Sequence, residues 1–97
     1  MDIDKLYEEI TRYVNDFDVT ADGDHLHTNY QNAVSILARL QEIRNEIAYL
    51  ELMGQADTKL RKFRTTIVDK TIEHFDKICA FESRKITSRN MEAQLSK

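Results

Sequence analysis

The chain has 97 residues, of which 41% are hydrophobic and 32% charged, with a net charge of −3, two glycines, one cysteine and no proline. This is the size of one domain, too apolar for general disorder, and a single thiol excludes an internal disulfide framework. No apolar run reaches the length of a bilayer span, and the acidic start Met1-Asp2-Ile3-Asp4 lacks the basic and apolar regions of a signal peptide, so a cytoplasmic or nuclear location is expected.

Glycine and proline are the strongest breakers of regular structure, so Gly23 and Gly54 divide the chain into three segments. In the first, Ile3, Leu6, Tyr7, Ile10, Val14 and Phe17 recur three and four residues apart, which predicts a helix over 3–17. Asp2 or Asp4 can cap it, and Glu8 and Glu9 suit the positive end of its dipole. The stretch Asp18-Val-Thr-Ala-Asp-Gly-Asp24 reads as a loop.

The second segment predicts a helix over 28–53. Thr28 and Gln31 have the spacing of a capping box, and Gly54 is placed as the C-terminal cap. Ile36, Leu40, Ile43, Ile47 and Leu50 alternate four and three apart, a coiled-coil seam of two heptads. A second stripe of Tyr30, Ala33, Val34 and Leu37 lies beside it, so this helix is expected to touch two neighbours.

The third segment predicts a helix over 56–89, followed by a flexible tail over 90–97. Read as one uninterrupted helix, Leu60, Phe63, Ile67, Val68, Ile72, Phe75, Ile78, Cys79, Phe81 and Ile86 spread over an arc of roughly 180°. A single neighbour needs less. Helices of roughly 22, 39 and 50 Å at ~1.5 Å per residue would also leave the first too short to cover the third. The expected fold is an all-α, three-helix antiparallel bundle spanning 1–89, with a long C-terminal helix, coiled-coil-like packing and an open apolar groove completed either by self-association or by a different protein.

Charge is distributed unevenly. Residues 1–24 hold eight acids and two bases, 25–58 four acids and two bases, and 59–97 ten bases and five acids. In an up-down-up bundle Lys59, Arg61, Lys62 and Arg64 would lie near Asp2, Asp4, Glu8 and Glu9, while Arg84, Lys85 and Arg89 approach Asp16, Asp18, Asp22 and Asp24. Pairing between the first and third helices is therefore expected, although exposed pairs contribute only about 0–1 kcal/mol each. The alternative use of these seven bases is contact with phosphates, but Phe63, Phe75 and Phe81 fall on the apolar arc and are not interleaved with the bases on an open face.

Motifs for chemistry are sparse. With Asp18 first, Thr20, Asp22 and Gly23 match the third, fifth and sixth positions of a calcium loop, but His25 and Asn29 fall where an aliphatic residue and a bidentate Glu are needed. An acidic turn is the better reading. His25 and His27 fall short of a closed tetrahedral zinc site. On a helix Cys79 and His74 point roughly 140° apart, too far for a nucleophile and its base. Glu82 projects into the apolar arc, which implies either that the bundle has ended by that turn or that a cation of a neighbouring chain meets it.

No catalytic, cofactor or metal residues are therefore assigned. The expected function is that of a non-enzymatic interaction or assembly module, a complex subunit or homodimer. Ile36, Leu40, Ile43, Ile47 and Leu50 form one partner-facing seam, and Ile72, Phe75, Cys79, Phe81 and Ile86 the other. The alternatives are a nucleic-acid-associated regulator using the seven bases, and a small acidic inhibitor or immunity-type protein.

Overall fold

A carboxylate one residue ahead of the apolar periodicity starts the first helix: Asp2 Oδ1 accepts from the backbone N–H groups of Asp4 and Lys5 at 3.1 and 3.2 Å. The computed structural model describes residues 1–21 and 23–95; Asp22, Ser96 and Lys97, and the expectations that fall on them, lie outside the described residues. All regular structure among these is helical, and no helix is long and apolar enough to cross a membrane. Helix α1 spans Ile3–Asp16 and α2 spans Leu26–Leu52. The third helix, α3, is continuous through Thr58–Phe63, a π-helical turn Arg64–Val68, and Asp69–Leu95.

Helix α1 turns Ile3, Leu6, Ile10, Tyr13 and Phe17 inward, at alternating spacings of three and four, while Tyr7 and Val14 face solvent. The broader stripe read from the sequence was therefore one seam plus two outward residues. Contacts set the helix directions. Glu9 meets Arg39, Glu51 meets Arg64, Phe17 meets Phe75, and Ile3 lines one hollow with Leu50 and Leu60. Helix α2 thus runs antiparallel to both neighbours, in a body 60 Å long and 22 by 16 Å across.

Helix α2 begins two residues before the expected Thr28. A 3-10 turn, Gly23–His25, winds straight into it, and Leu26 is buried at its start. Burial of Leu26 outweighs the capping-box arrangement: Thr28 falls within the first turn, and His25 at the N-cap makes no side-chain bond. The other end follows the sequence. Gly54 adopts φ +70°, and its N–H and that of Gln55 donate to the carbonyls of Glu51 and Leu50 at 3.1 and 2.8 Å, a Schellman motif. A Cβ at Gly54 would meet nothing within 4 Å, so only the backbone conformation opposes a side chain there. Gly54→Ala is expected to destabilise the fold by about 1 kcal/mol in urea denaturation; an unchanged midpoint would mean that the motif does not persist in solution.

The π turn is the feature of α3 that periodicity alone misplaced. The buried positions Leu60, Phe63, Val68, Ile72, Phe75, Ile78 and Glu82, with Thr71 beside Ile72, step by three or four on one face except once, from Phe63 to Val68. That five-residue step coincides with the π turn, where Asp69 N–H reaches back five residues to Arg64 O. Removing the extra residue narrows the arc of these buried positions from roughly 180° to roughly 120° and leaves Phe81 outside it. Thr65, Thr66 and Thr71 help hold the turn by donating their hydroxyls to carbonyls three and four residues back, such as Thr66 to Lys62 at 2.6 Å.

Among the described residues the open groove expected from a wide arc is accordingly absent along the packed part of α3. Its lower half is covered by the segment that follows α1, with Phe17 edge-on to Phe75 at 5.7 Å between centroids. The helix also runs past the expected end at 89 to Leu95, and residues 87–95 are all exposed.

Candidate interaction surface

Of the ten residues expected to face a partner, Leu40, Ile43, Ile47, Ile72 and Phe75 are buried in the chain's own core. Ile36, Leu50 and Cys79 are partly buried against it and Ile86 is half-buried, leaving only Phe81 open, at 50% exposure. The two seams face each other within one chain. Hydrophobic periodicity identifies a buried face, but the chain itself is the first claimant on that face.

Glu82 is 0% exposed, and a cation of its own helix meets it. Lys85, one turn on, places Nζ 2.9 Å from Glu82 Oε1. The approach lies off the direction a hydrogen bond needs, so among the described residues both carboxylate oxygens lack a directed donor. The same ammonium donates to the carbonyls of Val19 and Ala21, at 3.2 and 2.9 Å, and lies 4.9 Å from the centre of the Phe81 ring. Arg89 donates to the carbonyl of Gly23 and approaches Asp24 at 4.0 Å. The loop thus turns the carbonyls of residues 19, 21 and 23 towards α3, whose own side chains supply the cations.

The described residues of the Asp18 turn are held by bonds within the loop and to α2 as well as by those to α3. Asp18 Oδ1 accepts from the Thr20 hydroxyl at 2.6 Å and from the Thr20 N–H at 2.9 Å, bonds that hold its carboxyl below the usual range. Asn29 donates to the Asp18 carbonyl at 2.8 Å. His25 and His27 are exposed, and no group of three or more His, Cys, Asp or Glu gathers among the described residues. His74 is exposed with its ring against Phe75, and burial, with Asp76 and Glu82 nearby, raises the Cys79 thiol and makes it a weak nucleophile.

The bases separate into engaged and open groups. Arg64 bonds Glu51 at 2.8 Å and Asp69 at 3.0 Å, not the acids of α1. Glu9 of α1 instead takes a two-pronged bond from Arg39 of α2, at 2.8 and 3.2 Å, and accepts the Tyr13 hydroxyl at 2.6 Å. The Arg39 bond lowers the Glu9 pKa, while burial and then Glu9 raise that of Tyr13. Among the described residues no ion pair joins Asp2, Asp4 or Glu8 to Lys59, Arg61, Lys62 or Arg64. Near the start of α3, Asp57 offsets the cations by capping the Leu60 N–H at 2.8 Å. Of the seven bases singled out in the sequence, Arg64, Lys85 and Arg89 are committed internally, and among the described residues no ion pair takes up Lys59, Arg61 and Lys62 at one end or Arg84 near the other, roughly 35 Å along the helix at ~1.5 Å per residue.

The outer face of α2 is what hydrophobic periodicity passed over. Gln31, Val34, Ala38, Gln41, Asn45, Ala48 and Leu52 recur at three and four, lie within roughly 100° of arc, and are all exposed. None is charged. Val34, Leu52 and the adjoining Tyr49 are 43%, 84% and 60% exposed. The only part of the expected second stripe on this face is Val34; Ala33 is buried, and Tyr30 and Leu37 are half-buried. The signal in the sequence was an absence of charge at heptad spacing, which a search for apolar residues does not register.

Comparison with known proteins finds no matching family model, no matching curated protein and no matching solved structure.

Proposed function

We propose that this chain is a non-enzymatic interaction or assembly module that presents the outer face of α2 to a binding partner. One observation carries the reading. A seven-position heptad stripe without charge faces solvent in a chain that is 32% charged, whereas solvent-facing helix surfaces are ordinarily polar and charged. Val34, Ala38, Ala48 and Leu52 can be buried against a helix at little desolvation cost, while Gln31, Gln41 and Asn45 each need a hydrogen-bond partner there. The acids and bases elsewhere would orient the partner more than they would hold it.

The test is recovery of the tagged chain from its host cells, with Ala38→Glu and Ala48→Glu as variants. Both positions are exposed, so the helical spectrum and unfolding midpoint are expected to stay unchanged while any companion retained by the wild type is lost. Retention of the same companions by both charged variants would sink the assignment of this face.

A further inference from the structure

We infer that the groove between α1 and α2 is a docking site for a basic segment of another protein, with an arginine side chain seated in the hollow beside Asp16. The proposal does not depend on the reading of the outer face of α2.

A hollow of about 480 Å³ lies between the end of α1 and the start of α2. Tyr13, Phe17 and Ile36 line it and are partly buried against the core, which gives it an aromatic and apolar inner surface. Asp16 and Asp18 stand on the α1 side. Among the described residues Asp16 makes no ion pair or side-chain hydrogen bond, and Asp18 bonds Thr20 through Oδ1 alone. The α2 side adds Asn32 and Ser35, uncharged groups that can accept a hydrogen bond. An arginine matches this set, because its planar guanidinium can lie against a ring while its N–H donors reach a carboxylate and the neighbouring acceptors. A phosphate would meet two carboxylates there, and an apolar side chain would desolvate them unpaired.

Charge beyond the hollow favours a run of bases over a single amine. Residues 1–24 hold eight acids against two bases. Among the described ones only Glu9 and Asp24 meet a cation in an ion pair, with Arg39 and Arg89. Glu8 and Asp4, both exposed, lie roughly two and three turns back along α1 from Asp16 and extend the negative strip. Complementary charge of this kind steers and orients a partner. Arg12 is the one base among the described residues that line the hollow, and it makes no ion pair. It opposes a cationic guest and would attract an anionic one, so its removal reports the sign of the occupant.

The test follows the amide NMR signals of the full chain while a capped hexa-arginine peptide is added at low salt. Saturable shift changes are expected, largest at residues 12–18 and 29–36, with hexalysine binding more weakly. Asp16→Asn is expected to weaken the affinity by roughly fivefold, the upper end for an exposed ion pair. Arg12→Ala should strengthen it, and Glu46→Gln, which removes the same charge from towards the other end of α2, should leave it unchanged. All three positions are exposed, so the unfolding midpoints are expected to stay where they are. Equal weakening by Asp16→Asn and Glu46→Gln overturns the proposal, since the attraction is then diffuse. Weaker peptide binding in Arg12→Ala, or a single-stranded oligonucleotide that shifts the same amides, overturns it in favour of an anionic occupant. Equal affinity for hexalysine overturns the seating of an arginine, and the absence of any saturable change overturns the site.

Discussion

Lys85→Met is expected to destabilise the fold by about 3–5 kcal/mol, because it removes the cation from a carboxylate that has no access to water. Glu82 is 0% exposed and Lys85 Nζ, at 2.9 Å, is its ion-pair partner. The loop carbonyls of Val19 and Ala21 would lose their donor in the same substitution. The effect should be asymmetric. In Glu82→Leu the ammonium keeps both carbonyl bonds and part of its exposure to solvent, while an apolar side chain enters a site lined by the core. That variant is therefore expected to cost less than Lys85→Met by several kcal/mol, and the double variant Glu82→Leu/Lys85→Met should recover most of the loss. Urea denaturation of the four proteins provides the cycle. Equal losses in the two single variants would show that the carboxylate reaches water or another donor in solution.

Phe75→Ala is expected to cost about 3–5 kcal/mol, the usual range for emptying a fully buried aromatic site. Phe75 is among the largest fully buried side chains, and it is where α1, α3 and the loop converge through its edge contact with Phe17. Part of the loss is the aromatic pair, about 0.5–1.5 kcal/mol beyond burial. Phe17→Leu, which keeps most of the apolar volume, isolates that part and should cost nearer 1 kcal/mol. A second readout places the damage: amide exchange in α1 and residues 17–21 should accelerate more than in the middle of α2, since α1 is anchored there by few other contacts. A loss below about 1 kcal/mol would mean that the neighbouring side chains close the cavity.

These two positions show where sequence reasoning stopped short. Phe75 lies at the centre of any periodic reading of the third segment, and its burial was legible without coordinates. Glu82 sits on the same arc, and the cost of placing a carboxylate there was equally legible. Its partner was not. Lys85 is three residues away on the same helix, and a lone i,i+3 pair reads as a surface contact until a loop is laid over it. The carbonyls of Val19 and Ala21, more than 60 residues away in sequence, make it an interior one. The ordering of α3 had a similar limit. One inserted residue at the π turn shifted every later side chain by about 100°, which turned a single buried stripe into an apparent double one and suggested a groove that the packing does not contain.

The candidate surface was missed for the complementary reason. Ile36, Leu40, Ile43, Ile47 and Leu50 announce themselves by hydrophobicity, and hydrophobicity is satisfied first within the chain. What remains for a partner on α2 is neutral and small, visible only once the apolar seam has been assigned to the interior and the opposite face can be examined by itself.

The sequence alone determined what local physics controls: three helical segments, an aspartate cap at the start of the first, the glycine stop of the second at Gly54, and the sidedness of α1 apart from Tyr7 and Val14. These depend on spacings of three and four and on the conformational freedom of single residues. The tertiary structure alone decided which seam met which, where the third helix slipped by one residue, and which charges found partners. Those outcomes are set by competition between distant groups for one core, and each is fixed by a contact between residues that no local pattern relates.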